Sequence, residues 1–157
     1  MQPSTSLTPA RLVGLGMNAD ELAHNPALTE RIVHDLNSVP TLPLPAMQFD
    51  VVLCALSIEY LVQPEAVLSE VKRVLKPDGQ CIISFSERWF PPKAVLPWPE
   101  LPAFSRLAWV LRHLQRAGFV DLHTESLRGL PRPHDDKYFV QVTTADPFFA
   151  AWGSPAP

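Results

Sequence analysis

The fold is decided by a buried strand together with the helix and strand that follow it. Residues 49–56 have the sequence FDVVLCAL, a nearly continuous apolar run that is typical of a strand covered on both faces. Residues 64–75, PEAVLSEVKRVL, place apolar side chains at helical spacing, and their first proline suits the first turn of a helix. A Pro-Asp-Gly turn at 77–79 then leads into a second buried strand, QCIISF, at 80–85. This order predicts a parallel strand–helix–strand unit and therefore an α/β fold.

Shorter elements precede this unit. Residues 11–15 and 30–34 carry strand signals. Between them, Asn18 is placed to cap a short helix over 19–24, which an Asn-Pro pair would stop. Residues 36–48 hold three prolines and no periodic pattern, which predicts a loop.

Downstream, the pattern predicts one more helix and two more strands. Residues 103–117 form an amphipathic pattern that Gly118 would close. The strand candidates are 119–127 and 138–143, and since no helix separates them, they are expected to run antiparallel at one edge. The fold class predicted is a three-layer α/β sandwich with a mostly parallel, Rossmann-like sheet and an antiparallel C-terminal edge.

The composition limits the domain organisation and the kind of partner. Of the 157 residues, 46% are hydrophobic and 18% charged, enough for one domain with a real core. We expect that domain at 11–145, after a disordered segment at 1–10 and before a tail at 146–157. The net charge is −3 and no basic cluster exceeds the Lys72-Arg73 pair, which argues against nucleic-acid binding. No apolar run is long enough to span a bilayer, no secretory signal is evident, and a cytoplasmic location is expected.

Two cysteines and five histidines bear on metal binding. Cys54 and Cys81 lie inside the apolar strand runs, where a thiol serves as a small hydrophobic side chain. No His or Cys lies at metal-ligand spacing from them, so no zinc site and no other metal are expected.

Three segments, in order, carry a family resemblance. The first is IVHDL at 32–36, followed by LPL at 42–44 and FDVV at 49–52. The second lies within 60–79 and ends in RVLKPDG, and the third is AGF at 117–119. Together these segments resemble class I S-adenosylmethionine-dependent methyltransferases of the type 11 kind.

The resemblance implies S-adenosylmethionine as the cofactor, bound across the carboxyl ends of the strands, where open α/β sheets hold their ligands. Asp35 would accept a hydrogen bond from the adenine amino group, Leu36 would meet the ring with its backbone, and Met17 would lie against the adenine face. The methionine part would approach the end of the central strand. The implied cofactor residues are Gly16, Met17, Asn18, Asp35, Leu36, Cys54 and Ala55.

The resemblance also implies a small-molecule or lipid-like acceptor of the methyl group. Tyr60 stands where such enzymes place a residue near the transferred methyl. The segment after the fifth strand of the family leaves the sheet where substrate loops lie, so Arg88 would hold an anionic group and Trp89 would wall an apolar one. No catalytic residue is assigned. Glu59, next to Tyr60, is a candidate base, but a solvated glutamate ahead of a helix is the commoner case and is expected here.

The sequence departs from the family pattern at two places. The first strand and the Gly-x-Gly-x-Gly turn of the family would precede Arg11, where only Met1 to Ala10 stand. In addition, Gly16 occupies the position that normally carries an acid for the ribose hydroxyls, and Asn18 is the substitute hydrogen-bonding residue. The fold is therefore expected without its first strand. Either the two halves of the sheet pair directly, or a homodimer or a partner chain supplies the missing strand.

Two alternative functions remain open. A truncated methyltransferase fold would serve as a non-catalytic binding module. The pattern Gly14-x-Gly16-x-x-Ala19, with Asp35 further on, also fits a dinucleotide-binding turn for NAD or FAD.

Overall fold

The computed structural model describes residues 9–157, and the chain divides into two compact units, 1–39 and 40–157. Most of the N-terminal segment expected to be disordered, residues 1–8, lies outside the described residues. Each unit is described by itself below.

The first unit is a small strand–helix–strand motif. Its elements are β1 (Val13–Gly16), α1 (Ala19–His24) and β2 (Glu30–Val33). The two strands are parallel, with Val13 opposite Glu30. The Asn18 side chain accepts hydrogen bonds from the backbone of Asp20 and Glu21, so the predicted cap of this helix is confirmed. All three elements fall where the sequence placed them, to within two residues.

The second unit is a four-stranded sheet with two helices. Its elements are β3 (Phe49–Ala55), α2 (Pro64–Val74), β4 (Leu75–Ser86), α3 (Ala103–Arg116), β5 (Phe119–Leu127), β6 (Phe148–Pro155) and two 3₁₀ turns, Ile58–Tyr60 and Trp98–Glu100. The strand order is β3-β4-β6-β5. Strands β3 and β4 are parallel, whereas β6 is antiparallel to both of its neighbours. The prediction that the last two strands pair antiparallel is therefore confirmed. Strand β6 lies between β4 and β5.

The position predicted for the last strand is wrong. Residues 138–143 form turns, and the strand lies at Phe148–Pro155, inside the segment expected to be a tail. The reason lies in the buried Arg132, whose Nε donates to the carbonyl oxygens of Val142 (3.0 Å) and Thr144 (3.2 Å). Since a side chain meets these backbone acceptors, the segment needs no strand partner to satisfy them.

The turn predicted at 77–79 is absorbed into β4. The helix stops after Val74, as expected, but Leu75 already pairs with Phe49, and the next aligned pair is Val51 with Gln80. The residues between form a bulge. A glycine suits this position, because a Cβ on Gly79 would lie 3.0 Å from the Lys76 carbonyl oxygen and 3.1 Å from that of Asp50, which is a tight contact.

The proline-rich loop ahead of β3 is fixed to α2 by two charged side chains. Glu70 accepts from the Leu42 amide (2.9 Å), and Arg73 donates to the carbonyl oxygens of Leu42 (3.0 Å) and Leu44 (2.9 Å). The two side chains also pair with each other at 2.7 Å. These contacts give a structural role to the Leu-Pro pair, Glu70 and Arg73, which all lie in the segments that carry the family resemblance.

The hydrophobic core belongs to the second unit. Phe85 stacks on Phe149 with ring centroids 5.3 Å apart and meets Trp98 edge-on at 4.9 Å. Both α2 and α3 bury an apolar face, whereas no side chain described in 9–39 is buried. Among residues 9–157, no helix is long and apolar enough to cross a membrane.

Candidate cofactor and substrate site

In the first unit, the predicted cofactor residues follow the carboxyl ends of two parallel strands. Gly16 ends β1 and Met17 follows it, while Asp35 lies two residues beyond the end of β2. Because the strands are parallel and adjacent, these ends lie at the same edge. The Met17 side chain is 69% exposed, which leaves it available to a flat apolar ligand.

Asp35 lies at this edge, and hydrogen bonds hold its carboxylate in place. Its oxygens accept from the Ser38 hydroxyl (2.6 Å) and from the Asn37 amide (2.9 Å), and these bonds hold the pKa of Asp35 below its ordinary value. A carboxylate has about four acceptor positions, so further donors can still bind. In residues 9–157 the intervening Leu36 amide has no hydrogen-bond partner. The pair thus presents one acceptor and one backbone donor, which fits the edge of an adenine ring.

Asn18 fits the ribose poorly. Its side-chain oxygen is already occupied by the amides of Asp20 (3.0 Å) and Glu21 (3.2 Å). The remaining amide nitrogen can only donate, whereas a carboxylate at Gly16 would accept from two ribose hydroxyls. The residues present fit the adenine end of the cofactor better than its ribose.

In the second unit, Cys54 and Ala55 end β3, as the sequence predicted. The Cys54 sulfur lies 3.4 Å from the Ser57 hydroxyl, and burial raises the pKa of the thiol to about 11. Cys54 is therefore a neutral thiol at physiological pH and does not act as a nucleophile. Cys81 is also a free thiol, and burial raises its pKa as well.

Tyr60 and Arg88 lie in the two loops that leave the carboxyl ends of β3 and β4. The Tyr60 hydroxyl accepts from the Phe90 amide at 3.0 Å, which ties the two loops together. Arg88 pairs with Asp146 at 2.8 Å and lies over the Tyr138 ring. Arg88 therefore has to exchange a partner within the protein before it can hold an anionic substrate group.

The residue that sequence reasoning misjudged is Glu59. It is 1% exposed rather than solvated, and its backbone carbonyl accepts from the Val95 amide at 2.9 Å. Arg106, on α3, is 5% exposed and donates from Nε to the Trp98 carbonyl oxygen at 3.1 Å. Its guanidinium lies 3.9 Å from the centre of the Trp89 ring. A signal was present in the sequence, since Glu59 follows directly on Ile58 in an apolar stretch.

This buried group, the Glu59 cluster, consists of Glu59, Arg106, Trp89 and Trp98. Three polar atoms in it are buried without a partner among the described residues, namely one Glu59 carboxylate oxygen (Oε2) and the two indole Nε1 atoms. Each such atom costs about 1–3 kcal/mol. Burial raises the pKa of Glu59, and burial lowers that of Arg106. The cluster is thus polar, desolvated and incompletely satisfied.

Comparison with known proteins decides the family. Residues 6–83 match the family described as Methyltransferase domain. This chain belongs to the class I S-adenosylmethionine-dependent methyltransferases. The matched range includes Met17 and Asp35 in the first unit and Cys54 and Tyr60 in the second, and the cofactor of the family is S-adenosylmethionine.

One curated relative matches most of this chain, but the match covers only part of the relative. The ubiquinone/menaquinone biosynthesis C-methyltransferase UbiE of Paraburkholderia xenovorans (strain LB400) is 30% identical over 119 residues, which cover 74% of this chain. The alignment covers 46% of UbiE, so the chain spans less than half of that relative.

Solved structures confirm the fold class. A methyltransferase of Haloferax volcanii, solved in complex with the Trm112 methyltransferase activator, matches with a TM-score of 0.64 at 16% identity and covers 94% of this chain and 72% of its own. A SAM-dependent methyltransferase of Thermotoga maritima matches with a TM-score of 0.62 at 17% identity, covering 92% and 73%. The sequence-based prediction of a Rossmann-like methyltransferase fold is confirmed, and the dinucleotide alternative loses its support.

Proposed function

We propose that this chain transfers the methyl group of S-adenosylmethionine to a small or lipid-like acceptor. The observation that carries the proposal is the family match over 6–83, which includes the strand ends that bear the candidate site residues. The strand order β3-β4-β6-β5, with an antiparallel β6, is consistent with it.

The adenine end of the cofactor is assigned to the first unit. Met17 would cover a ring face, Asp35 would accept from the exocyclic amino group, and the Leu36 amide would donate to a ring nitrogen. The exposed methionine, the ionised carboxylate and the amide without a partner support these three roles. In the second unit, the small residues Cys54 and Ala55 at the end of β3 would contact the methionine part.

The acceptor is assigned to the loops after β3 and β4. Their exposed surface is aromatic: Phe90 is 66% exposed, and its ring lies 6.3 Å from that of Tyr60. An aromatic acceptor such as a quinol ring fits this surface, and UbiE, whose name gives quinone biosynthesis and C-methylation, supports that choice. Trp89 and Arg88 remain proposed substrate residues, one apolar and one charged.

Methyl transfer requires the protein mainly to position the acceptor and the cofactor. Methyl transfer is an in-line displacement at the methyl carbon, in which the electron pair of the broken bond stays on sulfur. Alignment of the acceptor with the S–C bond and exclusion of water supply most of the rate. A base is needed only where the acceptor must lose a proton.

Calorimetric titration of the 157-residue chain with S-adenosylhomocysteine, with NAD as the control ligand, tests the cofactor assignment. We expect micromolar binding of the first and none of the second. Asp35→Ala should weaken binding by about ten-fold or more, since a hydrogen bond to a charged acceptor is lost. Glu21→Ala, an exposed acid on α1, is the matched control and should bind like the wild type. Equal binding by both variants would contradict the role of Asp35.

The second candidate function is a non-catalytic module that binds the cofactor without transferring its methyl group. The occupied Asn18 side chain and the glycine at position 16 favour it, because both weaken the hold on the ribose. Incubation with methyl-labelled S-adenosylmethionine and a quinol separates the two functions. Bound cofactor that stays intact would support the module, and labelled quinol would support the enzyme.

A further inference from the structure

Two residues of the Glu59 cluster belong to the loops that leave the carboxyl ends of β3 and β4. Glu59 comes four residues after the last residue of β3, and Trp89 three residues after the last residue of β4. Both loops are fixed: the Val95 amide donates to the Glu59 carbonyl oxygen, and the Phe90 amide to the Tyr60 hydroxyl. The cluster is therefore a built feature of the region assigned to the acceptor.

The polar atoms of the cluster have complementary functions. Glu59 Oε2 is an acceptor when ionised, while the Nε1 atoms of Trp89 and Trp98 are donors. All three are buried without a partner among residues 9–157. Arg106 lies next to both indoles, with its guanidinium 3.9 Å and 5.4 Å from their ring centres. A hydroxyl group both donates and accepts, so it is a kind of ligand group that these unpartnered atoms can bind.

Glu59 and Arg106 do not satisfy each other. The charge of each acts on the other, yet the described ion pairs do not include a Glu59–Arg106 contact within 4.0 Å. Trp89 stacks on the guanidinium and is itself half-exposed, so its ring covers the cluster. An aromatic ligand that takes the place of the indole would keep the stacking on Arg106 and bring its own oxygen to the cluster.

We propose that the Glu59 cluster binds an acceptor with an acidic, ring-conjugated hydroxyl, a phenol or enol, and that Glu59 takes the hydroxyl proton. The proposal rests on the proposed methyl transfer and names its substrate class. Arg106 and the indole N–H of Trp98 bind the oxygen as it becomes negatively charged. Burial raises the pKa of Glu59, which makes its carboxylate a stronger base, while the Arg106 cation opposes that shift and holds the developing anion.

The proton and electron balance is complete with S-adenosylmethionine as co-reactant. Glu59 takes the hydroxyl proton, the conjugated system attacks the methyl carbon, and the S–C bond breaks with its electron pair on sulfur. If oxygen is methylated, Glu59 releases its proton to solvent. If a ring carbon is methylated, the proton on that carbon leaves to solvent and Glu59 returns its own to the oxygen. Either route releases one proton and S-adenosylhomocysteine.

Binding of 1-naphthol and of 1-methoxynaphthalene tests the proposal without a methyl-transfer assay. The two probes share their rings, and only the first has a hydroxyl. We expect the full chain to prefer 1-naphthol by about ten-fold or more in calorimetric titrations, the effect of one hydrogen bond to a charged group. Glu59→Gln should reduce that preference to within about two-fold. Glu100→Gln, which changes an exposed carboxylate in the same region, should retain it.

The pH dependence distinguishes proton acceptance from packing. The preference for 1-naphthol should increase with pH in the wild type as Glu59 ionises, and should be flat in Glu59→Gln. The titratable or charged groups around Glu59 are Tyr60, Cys54 and Arg106, with Glu87 acting on Arg106. Since Tyr60 and Cys54 have raised pKa values, they do not ionise below pH 8.

Arg106→Gln is the second variant, because it removes the cation that holds the oxygen of the hydroxyl group. It should lose the hydroxyl preference even if Glu59→Gln fails to fold. Equal affinity of the wild type for the two probes, or an unchanged preference in both variants, would overturn the proposal. Failure to bind S-adenosylhomocysteine in the same chain would instead count against the methyltransferase function, while the probe titrations would still decide the hydroxyl site.

Discussion

The two units of the chain are stabilised in different ways. In residues 40–157, large side chains such as Trp98, Phe85 and Phe149 are fully buried between a four-stranded sheet and two helices. In the described residues of the first unit, 9–39, no side chain is buried, and the structure is a network of local hydrogen bonds. Arg31 illustrates it, donating to the carbonyl oxygens of Leu22 (2.8 Å) and Asn25 (2.9 Å).

This difference shows where stability and where ligand binding are expected. Burial of apolar area is the dominant favourable term in folding, so the second unit carries the folding free energy. The first unit presents exposed polar and apolar groups, Met17 and Asp35 among them, on a short motif with little packing of its own. Substitutions should therefore act on global stability in the second unit and locally in the first.

The largest effect is expected from Trp98→Ala. This fully buried ring meets Phe85 and Trp109 edge-on, at 4.9 Å and 5.6 Å. Its removal should lower the free energy of unfolding by about 3–5 kcal/mol. Leu22→Ala, a half-buried residue of the first unit, should cost about 1 kcal/mol. Urea unfolding of both variants measures the contrast, and equal losses would refute the division into a packed unit and a local one.

A smaller change in the free energy of unfolding is expected from replacing glycines, and Gly153 and Gly16 can be compared directly. A Cβ on Gly153 would lie 2.8 Å from the Val120 carbonyl oxygen, at the irregularity where β5 pairs with β6. Gly153→Ala should therefore cost about 1–3 kcal/mol. A Cβ on Gly16 meets only the end of Leu22, at 3.9 Å, so Gly16→Ala should be neutral or stabilising by about 0.5 kcal/mol. Urea midpoints shifted equally by the two substitutions would contradict this contrast.

Glu59→Gln should change how stability depends on pH. Burial raises the folded-state pKa of Glu59, so the wild type is most favoured below the unfolded-state pKa and loses stability as pH rises through the folded-state pKa. The variant lacks this loss and should exceed the wild type by about 1–2 kcal/mol at pH 8, with a smaller difference near pH 4. Unfolding by urea across this range measures it. A variant that follows the wild type at every pH would show that Glu59 does not titrate there.

How far the sequence predicts this molecule depends on which interactions define each part. The central strands, both main helices and the Asn18 cap follow from local periodicity and capping chemistry, and their positions were predicted. The last strand was misplaced because its position depends on Arg132, which meets the backbone carbonyls of residues 142 and 144 from ten or more residues away. The burial of Glu59 depends likewise on Arg106 and the loop at Trp89, which are distant in sequence, so the apolar residues beside Glu59 are its only local sign.

The smallest effect compares the caps of two helices. Asn18 accepts from two backbone amides at the start of α1, whereas at the start of α2, within the described chain, Gln63 makes no side-chain capping bond. Asn18→Ala should destabilise α1 by about 1 kcal/mol and speed hydrogen exchange of the Asp20 and Glu21 amides about five-fold. Gln63→Ala should leave exchange in α2 unchanged, because packing rather than a cap holds that helix. If Gln63→Ala speeds exchange in α2 more than Asn18→Ala speeds it in α1, the first unit does not depend on its local hydrogen bonds.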